Sequence, residues 1–71
     1  MEEKVLLPHQ KRVVDEFMEL FERTNKLNDF IMSEAFKSVD DAEKKRLTRQ
    51  LHIMHVYSDV LEERIDAFEG K

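Results

Sequence analysis

Apolar residues recur at every third or fourth position in two long stretches of the chain, which is the spacing of one helix face. In the first stretch the repeat runs through Val13, Phe17, Leu20, Thr24, Leu27 and Ile31. Pro8 precedes this repeat and suits the first turn of a helix, because the N–H that proline lacks would have no partner there. The pattern predicts a first helix over about residues 8–32, with Thr24 as a polar exception in its apolar seam.

A second repeat of the same kind follows a clearer start signal. Asp40 and Glu43 have the spacing of a helix-capping arrangement, and Ser38 with Asp41 would serve as well. The repeat then runs through Leu47, Leu51, Met54, Ser58, Leu61, Ile65 and Phe68. The pattern predicts a second helix over about residues 40–68.

The two seams fit one another if the chain folds back on itself through a connection at residues 33–39. Pairing residues whose numbers sum to 78 sets all six seam positions of the first helix against seam positions of the second, with Phe17 facing Leu61. Gly70 is suited to ending the second helix. We therefore expect an all-α fold, a two-helix antiparallel hairpin.

The composition limits how such a hairpin can be stabilised. The chain has 71 residues, with one Gly, one Pro and no Cys, so we expect a single domain over residues 1–71. So few turn-forming residues argue against an all-β fold. Chains of this size generally need a staple, and the lack of cysteine removes disulfides. Self-association is the remaining support.

Several apolar residues lie beside the seams, where one partner helix cannot cover them. The expected oligomer interface consists of Val14, Phe21, Ile53, Val56 and Val60. Left exposed, they would form a patch larger than monomers usually carry. The sequence therefore predicts a homo-oligomer in which hairpins associate into a helical bundle.

A metal site is the first kind of chemistry to consider. His52, His55 and Asp59 share a helix face and could touch one ion. The sequence signals no fourth ligand, so a solvated or interfacial histidine pair is the favoured interpretation. We expect neither a metal nor a cofactor.

A basic cluster at 44–49 offers a second kind of chemistry, because arginine suits phosphate contacts. The candidate ligand-binding residues are Arg46, Arg49, Tyr57 and Arg64. A tyrosine and an arginine at a subunit boundary could hold a nucleotide base. The alternatives are a solvated basic face offset by its acidic neighbours and an amphipathic interface tyrosine.

Catalysis is not expected. The carboxylate pairs Glu16/Glu19 and Glu62/Glu63 are of the type that hydrolases use, but a two-helix hairpin has no cleft to hold them. A thiol nucleophile, a Ser-His-Asp context and a glycine-rich loop are all missing from the sequence. We expect no catalytic residues.

Charge and hydropathy limit the partners. The net charge of −4 argues against direct nucleic-acid binding, which needs a basic surface. No stretch approaches the ~18 apolar residues of a membrane span, and the N-terminus lacks the pattern of a secretory signal. A cytoplasmic protein is expected.

Three segments resemble a known group of proteins. They are LLPHQKRVVDE at 6–16, KLNDFI at 26–31 and RLTRQLHIMHVYSDVLEERIDAF at 46–68. They resemble a family of small helical-hairpin proteins of tailed phages and prophages, which is also related to a protein of crAss-like phages. The resemblance implies a phage origin and a site of action in the host bacterial cytoplasm.

The size and architecture are also similar to those of phage anti-CBASS and anti-Thoeris sponges. Those oligomers of helical hairpins hold cyclic-nucleotide or ADP-ribose signals between subunits. By this likeness, which is one of fold alone, we expect a non-enzymatic counter-defence protein that sequesters such a signal.

An alternative is an adaptor or inhibitor that binds a host defence or nucleic-acid enzyme through an apolar and acidic helix face. The acidic residues of that face are Asp59, Glu62, Glu63, Asp66 and Glu69. Such a face could imitate nucleic acid or occupy a basic site on the enzyme, although it could also serve solubility alone.

Overall fold

Two long antiparallel helices make up most of the structure, a computed structural model that describes residues 6–68. Helix α1 runs from Pro8 to Ile31 and helix α2 from Asp41 to Phe68. A short 3₁₀ helix, Glu34–Ser38, lies in the connection between them. The helices pack side by side in a body of 52 × 18 × 18 Å. The predicted all-α hairpin is confirmed.

Helix α1 starts at the proline that the sequence indicated. Leu7 is the extended residue before the helix, and Pro8 occupies its first turn. The Gln10 side-chain oxygen accepts a hydrogen bond of 2.9 Å from the Leu7 N–H, which satisfies one of the amides at the open helix end.

Helix α2 is capped by Asp40. The Asp40 carboxylate accepts a hydrogen bond of 3.1 Å from the Ala42 N–H, as the first half of the predicted arrangement requires. Glu43 does not complete a capping box; its carboxylate instead accepts a bond of 2.7 Å from Arg46 Nε, one turn further on. Ser38, the other candidate cap, lies in the 3₁₀ helix.

An aromatic pair holds the connection against the helices. The Phe36 ring packs edge-on against Phe30, with ring centroids 6.0 Å apart. On its other side, Lys44 Nζ lies 5.6 Å from the Phe36 centroid. The Ser33 hydroxyl donates a bond of 2.6 Å to the Phe30 carbonyl, where α1 ends. Phe36 therefore links the end of α1 to the start of α2.

The predicted seams face each other. Leu61 has no exposed surface and Val13 is 7% exposed, while the other apolar seam positions of both helices are half-buried. Thr24, the polar seam residue, is buried as well. Its hydroxyl donates a bond of 2.7 Å to the Leu20 carbonyl one turn earlier. The hydroxyl is thus satisfied within α1 and needs no partner on α2.

A hydrogen bond between the helices favours a register that differs from the predicted one. The Tyr57 hydroxyl donates to the Glu16 carboxylate, and these numbers sum to 73 rather than 78. The difference of five residues is about 7.5 Å along a helix. Side chains lean toward the N-terminus of their own helix, so in an antiparallel pair the lean widens this gap. The contact therefore favours a register whose sum is lower than 78 by at least one helical turn, and a shift of one turn sets Val13 rather than Phe17 level with Leu61.

Two further sequence-based expectations concern membrane spans and the C-terminal end of α2. No helix within residues 6–68 is both long and apolar enough to cross a membrane. The expected end of α2 at Gly70 lies outside the described residues, as does Glu69 of the acidic face.

Candidate functional site

A groove lies between the connection and the first half of α2. The Phe36 ring forms its side toward the connection. Side chains from three successive turns of α2 form the rest: Lys44, Lys45, Thr48, Arg49 and His52. These residues fall at spacings of three and four, so the helix presents them on one face. The groove encloses about 410 Å³ and is open to solvent.

The chemistry of this groove is that of a flat apolar ring beside cations. Lys44 Nζ lies over the Phe36 ring and 4.0 Å from the Asp41 carboxylate. The carboxylate therefore partly neutralises Lys44, which is one of the three cations of the groove. Lys45 and Arg49 are exposed and, within residues 6–68, take part in no ion pair. An aromatic face can stack on a base, while lysine and arginine can hold phosphate oxygens.

A second groove of about 340 Å³ adjoins the first through Arg49, which lines both. Its remaining residues are Arg46, Gln50, Ile53 and Met54. Arg46 Nε pairs with the Glu43 carboxylate at 2.7 Å, and the Arg46 side chain is 60% exposed. Two of the predicted ligand-binding residues, Arg46 and Arg49, thus lie side by side at the wall of a groove.

The other two predicted ligand-binding residues lie elsewhere on α2. Tyr57 is 41% exposed, and its hydroxyl is bonded to Glu16 at the junction with α1. Arg64 is exposed and lies fifteen residues beyond Arg49, about 22 Å along the helix. Within one chain, therefore, the four residues do not converge on one ligand.

The structure adds Phe36 and His52 to the candidate site. The sequence offered a signal for Phe36, an aromatic residue within a polar connection, but not its position beside the basic turns of α2. His52 was considered only as a metal ligand with His55 and Asp59, whereas it lines the first groove. Among residues 6–68 no three His, Cys, Asp or Glu side chains come together as a metal site would require.

The predicted interface residues are mostly exposed. Phe21 is 54% exposed, Ile53 56%, Val56 48% and Val60 45%, while Val14 is half-buried. The acidic side chains of the second half of α2 are also exposed. In the described part of the chain, ion pairs occur only between positions 34 and 46, so these carboxylates have no cationic partner there.

Comparison with known proteins gives a family and a phage relative. The model of the Sequestin family matches residues 7–67. A 7.5 kDa protein encoded in the denB-rIIB intergenic region of Enterobacteria phage T4 is 34% identical over 64 residues, which cover 90% of this chain and 100% of that protein. No solved structure matches significantly.

Proposed function

Since the chain belongs to the Sequestin family, we propose that it is a phage counter-defence protein that sequesters a nucleotide-derived immune signal without cleaving it. The signal is of the cyclic-nucleotide or ADP-ribose type. The family name and the phage relative support a sequestering protein of phage origin, and the identity of the signal rests on the groove chemistry.

The observation that carries the proposal is the groove beside Phe36. A nucleotide signal combines planar bases with phosphates, and the groove combines an aromatic ring with Lys45 and Arg49, two cations free of ion pairs among residues 6–68. Stacking on an aromatic side chain is worth about 1–3 kcal/mol per base. The second groove, with Arg46, extends the cationic surface along α2.

The ligand is held between subunits in this proposal. Both grooves are open on one side, and small-molecule sites usually bury most of their ligand. The oligomer forms through Val14, Phe21, Ile53, Val56 and Val60, and it closes the grooves. Arg64 and Tyr57 then contribute from a neighbouring chain to the ligand that Arg49 binds, and Arg46 lies at the edge of that site.

Sequestration fits these groups better than catalysis does. Cleavage of a nucleotide signal needs an activated water or nucleophile, and no side-chain hydrogen bond within residues 6–68 orients Thr48 or His52, the two groove residues that could supply one. In this proposal the protein therefore lowers the free concentration of the signal by binding alone. It does so where the signal is made, in the host bacterial cytoplasm.

Titration calorimetry with cyclic dinucleotides, cyclic trinucleotides and ADP-ribose isomers tests the proposal. We expect one class to bind, binding to weaken as salt rises because phosphate contacts are screened, and the ligand to be recovered intact after the complex is heated. Arg49→Ala and Tyr57→Ala should weaken binding while the oligomer remains. Arg12→Ala, which removes an exposed arginine of α1 instead, is the matched control.

The opposite result favours the adaptor hypothesis. If none of these ligands gives heat and the protein captures a host enzyme through Asp59, Glu62, Glu63 and Asp66, the sequestering proposal is wrong. Charge reversal at Glu62 should then abolish capture, whereas Arg49→Ala should not.

A further inference from the structure

Helix α2 carries a second seam, about 140° around the helix from the one that packs on α1. Its positions step by four and three residues and are all exposed: Ala42, Arg46, Arg49, Ile53, Val56, Val60, Glu63 and Ala67. Its apolar centre, Ile53 and Val56, is 56% and 48% exposed. This outer seam has the repeat of a helix-packing surface but lacks a partner within residues 6–68.

The positions of the outer seam are spaced symmetrically about a point between Met54 and His55. When a second copy of α2 is laid against it antiparallel, residues whose numbers sum to 109 meet. Ala42 meets Ala67, Ile53 meets Val56, and Arg46 meets Glu63. Arg49 meets Val60, which the hydrocarbon stem of the arginine can cover.

The residues flanking the outer seam are complementary in the same alignment. On one side of the seam the facing residues have numbers that sum to 111, so Lys45 lies diagonally across from Asp66 and His52 from Asp59; on the other side the sum is 107, and Glu43 lies diagonally across from Arg64. The complementarity arises because the first half of α2 is mainly basic and the second half mainly acidic. A parallel alignment would instead set like charges together.

We propose that two copies of this chain associate through their α2 helices, antiparallel, with a twofold axis between Met54 and His55 and with Arg46 of each chain paired to Glu63 of the other. The pairing buries Ile53, Val56 and Val60 of both chains. It also brings Arg64 close to the basic first half of the partner's α2. Within one chain, Arg64 lies about 22 Å along the helix from Arg49.

The outer seam adjoins the Phe36 groove along Lys45, Arg49 and His52, so the second α2 forms one wall of that groove. Lys44 and Thr48 lie on the far side of the groove and stay open. The pairing rests on the proposed function only in that both need an oligomer: it sets the partner's carboxylates against Lys45 and Arg46 and leaves Lys44 and Arg49 as the groove's cations for a ligand, and it is tested without one.

Charge reversal tests the pairing by sedimentation equilibrium. Arg46→Glu and Glu63→Arg should each lower the mass toward the 8.6 kDa of one chain, because each sets like charges opposite one another twice per dimer. The double variant R46E/E63R should recover the wild-type mass. Circular dichroism should show that each variant keeps its hairpin, since both side chains are exposed.

Cysteine pairing tests the orientation, and the chain has no cysteine of its own. A chain with Ala42→Cys should cross-link to a chain with Ala67→Cys, whereas two chains that both carry Ala42→Cys should not cross-link. Self-cross-linking of Ala42→Cys chains would show a parallel pair and overturn the proposal. So would single charge reversals that leave the mass of the assembly unchanged, or a wild type of 8.6 kDa at micromolar concentration.

Discussion

Leu61 is the residue on which the hairpin depends most, since it is the one large side chain among residues 6–68 with no exposed surface. The repeat in the sequence placed it in the seam but ranked it no higher than Leu51, which is half-buried. Burial depends on how many neighbours surround a position, and that is set by the packing of both helices.

Leu61→Ala should lower the free energy of unfolding by about 2–5 kcal/mol, because it removes buried methyl groups and leaves a cavity. Leu51→Ala should act in the same direction but less strongly. Met18→Ala, at a side chain that is 61% exposed, serves as control. Urea unfolding measures all three, and equal midpoints for Leu61→Ala and Met18→Ala would show that the seam is misassigned.

Asp40 provides a second prediction at the residue scale. Asp40→Ala should destabilise the protein by about 1 kcal/mol, because the Ala42 N–H loses its acceptor. Asp40→Asn retains a capping oxygen and should stay close to the wild type. Thermal unfolding distinguishes the two, and an equal loss in both would indicate that the charge rather than the cap matters.

At the scale of elements, the periodicity of the sequence predicted both helices but not their register. Both seams follow the same alternation of three and four residues, so sliding one helix by a turn keeps the apolar faces together, with Val13 then level with Leu61 and Leu20 with Met54. The polar seam residue cannot break this degeneracy, because the Thr24 hydroxyl bonds to its own helix. The contact between Tyr57 and Glu16 supplies the missing information, and it involves residues beside the seam.

Disulfide formation can measure the register. The pair Val13→Cys with Leu61→Cys should oxidise more readily than Phe17→Cys with Leu61→Cys, because a disulfide needs Cα atoms about 4.4–6.8 Å apart. Both pairs share the change at Leu61, so their difference reports on position. Faster oxidation of the Phe17 pair would restore the register that sums to 78.

Only part of the candidate site could be predicted from the sequence. A run of cations at 44–49 is visible in the sequence because it is local. The approach of Phe36 to Lys44 is not, because it depends on a 3₁₀ turn and on contact with Phe30. The sequence also grouped Arg64 with Arg49, and within one chain a straight helix keeps them apart.

At the scale of the whole molecule, a two-helix body has little interior, so a partner chain should contribute to its stability. The melting temperature should therefore rise with protein concentration, since association stabilises only the folded chain. Val56→Glu should lower the melting temperature and remove its dependence on concentration, because a buried charge without a partner is unfavourable. Calorimetric scans over about a hundredfold range of concentration check this. A constant melting temperature for the wild type would contradict it.

The outer seam of α2 also bears on how chains choose one another. Arg46→Glu and Glu63→Arg chains each oppose their own kind, yet in a mixed pair both contacts join a cation to a carboxylate. Two variants that reject themselves would therefore accept each other, and mixing them should yield heterodimers alone. Specificity of this sort comes from the repulsion built into the wrong pairs. Two substitutions, one in each chain, can thus convert a self-complementary helix into two helices that pair only with each other.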